Sequence, residues 1–296
     1  MGRMDAVDKR ADGRVDSARP LRPSASSTDS LRAYLQVGWN SVHGWLDRYS
    51  ATVIADLSHV QREHRVVGAF GEIGVHHGKL FILMRLAAPE DRCFAIDVFD
   101  DQHLNVDHSG AGDRVKFLSN VAYWSGSVDG VAVIQQSSLD ISADRLLGEV
   151  GRCRMISIDG GHTEECTLND LRLAEAVLQE RGVVIVDDCF NEEWPDVATG
   201  VSRYCLEATT SLRPFAISPG KVYFARPDHH AFYKEQLCRL HASNLRRSNR
   251  MFGSEVLIFR LPEVPSRYRR ARHALRQSFL GPALHRAKRL LIDLRR

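Results

Sequence analysis

Among the six cysteines of this 296-residue chain there is no C-x-x-C pair, and no His/Cys cluster has zinc-site spacing. Cys93, Cys153, Cys166, Cys189, Cys205 and Cys238 therefore read as reduced thiols in the core or at the surface. No apolar run reaches the ~18 residues of a membrane-spanning helix. The first residues are polar and lack the apolar stretch of a signal peptide. These absences lead to the expectation of a cytoplasmic protein. The G-x-G-x-x-G turn of dinucleotide binders is also missing, which argues against a nicotinamide enzyme.

The charge is unevenly distributed. The net charge is +3, yet residues 264–296 hold ten Lys/Arg and one acid, Asp293, leaving 30 basic and 36 acidic residues upstream. In this terminal segment Leu284, Ala287, Leu290, Leu291 and Leu294 share one helical face, with basic residues largely on the other. Such a helix suits an anionic membrane surface, or docking on the body or on a second subunit. Residues 1–30, rich in Arg, Asp, Ser and Pro, read as a disordered leader. Residues 31–64 carry apolar positions at helical spacing and read as a two-helix cap.

From Val66 short apolar runs alternate with helical stretches: 66–73, 93–98, 131–134, 155–158 and 183–186. Continuous apolar strands between helices predict a parallel sheet covered on both faces. Phe215–Ser218 and Val222–Ala225, joined by Pro219-Gly220-Lys221, predict an antiparallel hairpin. A helix over 231–245 and a strand over 255–261 follow. The expected fold is α/β: a doubly wound, mostly parallel, seven-stranded sheet in residues 65–226. Residues 227–263 add to this core, and 264–296 form the basic arm.

Chemistry-bearing residues collect at the carboxyl ends of these strands, where ligands of open α/β sheets bind. The turn after the first strand has the spacing Glu72-x-Gly74-x-x-x-Gly78. Its glycines admit a ligand close to the backbone, and the carboxylate suits the ammonium of an amino-acid moiety. The adjacent His76 and His77 read as turn residues. Asp97, at the tip of the second strand, is placed to accept hydrogen bonds from ribose hydroxyls. Gln135, Gln136, Ser137 and Ser138 follow the third strand and suit contacts with an adenine. The fourth strand ends in Asp159-Gly160-Gly161-His162, the fifth in Asp187-Asp188. Three carboxylates at neighbouring strand ends repel unless compensated, and an oxygen-ligated divalent cation does that.

Residues 70–225 resemble the TylF/MycE-like sugar O-methyltransferases. The resemblance is carried by Gly71-Glu72-Ile73-Gly74-Val75 with Gly78, Ile158-Asp159-Gly160-Gly161-His162-Thr163, Asn169-Asp170-Leu171, Val186-Asp187-Asp188, and Trp194-Pro195 with Gly200-Val201. It implies a class I methyltransferase using S-adenosylmethionine, bound through Glu72, Gly74, Gly78, Asp97, Ser137 and Ser138. It further implies Mg²⁺ or another divalent cation on Asp159, Asp187 and Asp188, with Asp159 and His162 in catalysis and His162 as the base. The acceptor would be a hydroxyl of a sugar or glycosylated small molecule. Alternatives are a catechol or other vicinal diol as acceptor, and a non-catalytic cofactor-binding partner subunit. Nucleic acid is a poor acceptor: there is no N/D-P-P-Y-type motif and no aromatic stacking segment beside the basic run.

Overall fold

The computed structural model describes residues 27–261. The basic arm and most of the leader lie outside the described residues. The chain opens with α1 (Ser27–Gln36), a 3-10 turn at Gly38–Ser41 and α2 (Arg48–Glu63). Then β1 (Ala69–Ile73), α3 (Lys79–Ala87), β2 (Cys93–Asp97), α4 (Arg114–Ser125), β3 (Val131–Gln135), α5 (Ala143–Val150), β4 (Cys153–Ile158), α6 (Glu164–Val177) and β5 (Leu178–Asp187) alternate. After α7 (Pro195–Leu206) come β6 (Arg213–Ser218), β7 (Lys221–Ala225), α8 (His230–His241), β8 (Leu245–Met251) and β9 (Ser254–Phe259).

The nine strands among the described residues form one sheet in the order β3-β2-β1-β4-β5-β7-β6-β9-β8. The expected seven-stranded sheet is therefore extended by a hairpin, β8–β9, at one edge. β9 pairs parallel to β6 through Ala216 and Ile217, and β8 pairs antiparallel to β9. β8 was not anticipated, and the helix expected over 231–245 ends at His241, where a 3-10 turn at Ala242–Asn244 leads into β8. Its residues Arg246 to Arg250 are exposed, so no apolar alternation marks the strand.

Strand residues alternate between two cores. Phe70, Ala95, Met155, Val183 and Ile185 pack with α1, α2, α3, α4 and α8 on one face. Ile73, Ile96, Ile156, Val184 and Val186 pack with α5, α6 and α7 on the other. Burial on both faces explains why these strands read as continuous apolar runs. α2 is fixed through Arg154 of β4, which is 1% exposed. Its guanidinium binds Asp91 at 2.7 Å, Gln61 Oε1 at 2.6 Å and Ser58 Oγ at 2.9 Å.

The chain runs outward from β1 to β2 and β3, then crosses back to β4 and β5. The switch point between β1 and β4 opens a crevice at the carboxyl ends of the strands.

Candidate active site

A cleft of about 570 Å³ lies at this switch point, lined by β1, β2, β4 and β5 ends, the loop after β3, and Trp45, Leu46 and Asp47 of the cap. Its floor depends on Gly74. That residue has φ +83°, and an added Cβ would stand 1.7 Å from the Asp159 carbonyl oxygen. Here the ends of β1 and β4 close on each other, and Asp159 N donates to the Ile73 carbonyl at 2.8 Å.

Asp97 lines one end of the cleft. It accepts from the backbone of His76 (2.7 Å) and Phe99 (2.6 Å), which fixes its carboxylate while leaving acceptor capacity. Burial raises its pKa against those hydrogen bonds. Ser137 and Ser138 line the same end with Gln136. The Ser138 carbonyl is tied to α6 by Asn169 Nδ2 at 3.0 Å, so the Asn169-Asp170-Leu171 run braces this loop.

Two of the expected cofactor residues do not reach the wall. Glu72 is 2% exposed beneath the floor with Oε2 unpartnered, and burial pushes its pKa well up, helped by Asp159. Gly78 begins α3 at φ +89°, where a Cβ would press on the Phe117 ring at 2.9 Å. Its place in the motif is explained by helix packing.

The other end of the cleft gathers charge. One ligand atom each from Asp159, His162 and Asp188 lies within 4.8 Å of the others. Asp187 adjoins this group but is engaged differently. The β5–β7 register sets Lys221 opposite Asp187, and the ammonium pairs directly with its carboxylate. Lys221 Nζ is also 3.8 Å from Asp159 Oδ2. Burial disfavours its charge, yet Asp187 and then Asp159 hold its pKa above the ordinary lysine value. Asp159 and Asp187 thus share one ammonium: the pair keeps one carboxylate firmly ionised and resists a second.

His162 is held from three sides. Asp107 Oδ2 accepts from its backbone N at 2.6 Å and lies 2.7 Å from Nδ1. Nε2 faces Asp188 at 3.6 Å and Asp159 at 3.8 Å. The ring stacks on Trp194, with centroids 4.5 Å apart and planes 19° from parallel. Burial opposes its charge, but Asp159 and Asp107 outweigh burial and lift its pKa to about 9. Asp107 is buried too, yet hydrogen bonds from Ser109 and His162 bring it to about 2. His162 does not cap α6; Thr163 Oγ1 does, accepting from Cys166 N at 3.2 Å.

Asp107, Lys221 and the cap residues were not singled out from the sequence. Asp107 sits in an aperiodic loop, and Lys221 read only as the end of a turn. Its one signal was the hairpin position, which required the β5–β7 register to become informative.

Residues 72–189 match a family model described as a methyltransferase domain. No curated protein sequence matches the chain. Among solved structures, the O-methyltransferase NovP shares 15% identity at a TM-score of 0.55, over 68% of this chain and 99% of that one. TomG, an O-methyltransferase from Streptomyces achromogenes solved with SAM, shares 16% identity at TM-score 0.42, over 69% and 90%. The MycE methyltransferase, solved with Mg and SAH, shares 13% at TM-score 0.44, over 70% and 55%. At such identities the structural likeness shows the fold, one shared with the O-methyltransferase NovP, and residues 72–189 within that fold carry the likeness to a methyltransferase domain.

Proposed function

We propose that the protein transfers a methyl group from S-adenosylmethionine to a hydroxyl of a sugar or glycosylated small molecule, with a divalent cation at the β4–β5 end of the cleft. The observation that carries this reading is a single cleft with Asp97 at one end and the Asp159/His162/Asp188 group at the other. The cofactor supplies an activated methyl group. The ribose hydroxyls would meet Asp97, and the adenine the 136–138 loop.

Two carboxylates beside an imidazole, open to a water-accessible cleft, fit a hard cation such as Mg²⁺ that keeps several waters. Asp159 and Asp188 would hold it, while Asp187 stays with Lys221. Bound there, it would make an acceptor hydroxyl more acidic. The chain then has to take the proton. His162 Nε2 faces both carboxylates, and their neutralisation removes two of the charges that keep the ring protonated. Asp107 fixes Nδ1 and so sets which nitrogen accepts. Trp194 limits ring rotation. Much of the rate would come from holding acceptor oxygen and methyl group in line.

The test is incubation of the purified chain with S-adenosylmethionine, Mg²⁺ and a panel of glycosides and catechols, read by product mass. A glycoside gaining one methyl group is the expected result. Methylation restricted to catechols would replace the acceptor class. Failure to bind S-adenosylhomocysteine in calorimetry would overturn the reading altogether.

A further inference from the structure

A second cluster of metal-ligating side chains lies apart from the carboxylates. His43, from the loop between α1 and α2, meets His76 and His77 of the β1–α3 turn, and one ligand atom from each lies within 4.8 Å of the others. The three come from positions 33 residues apart in sequence, so no local spacing announces them. We propose that these three imidazoles form a binding site for a borderline transition-metal cation, Zn²⁺ foremost, which fastens the cap loop to the cofactor-side turn.

Three observations support this. First, the donors are all imidazole nitrogens with no carboxylate among them. Such a set favours zinc-like ions and disfavours Mg²⁺, the opposite of the Asp159/Asp188 group. Second, His76 Nδ1 and His77 Nε2 are shut off from solvent without a hydrogen-bond partner. Leaving a buried polar group unsatisfied costs about 1–3 kcal/mol, and a cation held between these rings would give a buried imidazole nitrogen a partner. Burial keeps both rings neutral, the form that ligates: it lowers His76 with help from His43 and against Asp97 and the His43 backbone, and it brings His77 to about 4 with help from His76. Third, His76 holds a left-handed backbone, φ 48°, which is uncommon for a residue with a Cβ.

The ring spacing is close to that of a ligated set. Two imidazoles on one tetrahedral zinc, with Zn–N of about 2.0–2.1 Å, have centroids about 5 Å apart. His43 stands 5.1 Å from His76 and 5.5 Å from His77. His76 and His77 stack at 4.0 Å and 24°, so this pair must fan apart by about 1 Å to share an ion. A solvent-derived fourth ligand would complete the tetrahedron. The position gives the site a consequence. Trp45, Leu46 and Asp47, two to four residues beyond His43, line the cleft. Trp45 is 72% exposed, with its ring 5.6 Å from His76. Fixing His43 would fix this stretch of wall.

The experiment is calorimetric titration of Zn²⁺ into the full chain under excess Mg²⁺, which occupies the carboxylate group. One Zn²⁺ per chain is expected, with affinity lowered at least about 100-fold in His43→Ala and in His77→Ala and unchanged in Asp188→Asn. Tryptophan emission should shift on Zn²⁺ addition, and the shift should vanish in Trp45→Phe. His43 is exposed, so its replacement leaves the fold intact and the comparison valid. Absence of Zn²⁺ uptake under Mg²⁺, uptake insensitive to both histidine variants, or uptake lost in Asp188→Asn would each overturn the site. Zn²⁺ uptake with no Trp45-dependent change in emission would overturn the fastening of the cap loop. None of these outcomes depends on methyl transfer, so they stand or fall separately from the acceptor.

Discussion

The cleft has two flanks that both concentrate titratable side chains, and they treat charge in opposite ways. At the β4–β5 end, acids outnumber bases, and two protein cations already compensate them: Lys221 between Asp187 and Asp159, and His162 among Asp107, Asp159 and Asp188. At the β1–α3 turn, three imidazoles crowd together with few carboxylates, and burial strips His76 and His77 of their charge. The lesson is that one residue type is made a cation or a neutral donor by its neighbours alone. His162 and His77 have the same side chain, yet one is lifted to about 9 and the other lowered to about 4.

The sharpest way to separate the flanks is kinetic. His162→Ala should lower turnover on the glycoside that the panel identifies by about 10²–10⁴-fold, while calorimetry still records S-adenosylhomocysteine binding. Near-normal turnover would remove His162 from the chemistry and leave it a charge partner only.

Lys221→Met attacks the compensation itself. It leaves two part-buried carboxylates facing each other, and since breaking a fully buried pair costs about 3–5 kcal/mol, a loss of up to about that size is expected, readable as a lower urea midpoint at pH 7. Without the ammonium, the folded-state pKa of the pair rises above its unfolded value. The lost stability should therefore return in part as pH falls, and also on addition of Mg²⁺. An unchanged midpoint would show that the two acids already share a proton.

The smallest expected effect is a pair of opposite pH slopes in chelated protein. The His162 pKa is raised above its unfolded value, so its contribution is complete below about 6.5 and is lost as pH rises toward about 9. That of His77 is lowered, so its contribution is complete above about 6.5 and is lost as pH falls toward about 4. His162→Gln should flatten the alkaline limb of the stability profile, and His77→Gln the acidic limb. If either substitution flattened both limbs, the two flanks would be one coupled system.

Much of this architecture was legible because burial on both faces writes itself into composition. The runs at 93–98 and 183–186 could hardly be anything but central strands, and their ends marked Asp97 and Asp187. β8 was not legible, because its residues Arg246 to Arg250 face solvent and between its two end residues it is held by pairing with Ser254–Phe259. In the site, carboxylates placed at strand tips by local sequence were found, and partners delivered by tertiary register were not. Lys221 becomes a counter-ion only because β7 runs antiparallel to β5. Asp107 reaches His162 across 55 residues from a loop without periodicity. Glu72 and Gly78 mark the opposite limit: the motif was read correctly as a turn, but side-chain depth is not encoded in spacing.

Arg154 gives the cap a different standing from an appended module. Its guanidinium is fully enclosed, and Ser58 and Gln61 of α2 supply part of its lining. Peeling α2 away would cost Arg154 its bonds to Ser58 and Gln61, leaving Asp91 as its partner, and would uncover the apolar sheet face that α2 packs on. Trimming from the N-terminal side should therefore begin to cost stability once it reaches α1, whose Tyr34 is wholly buried in the same core, and should fail outright when α2 lets go. The loop that walls the cleft, the helices beside it and the sheet that floors it would melt together, as one cooperative unit.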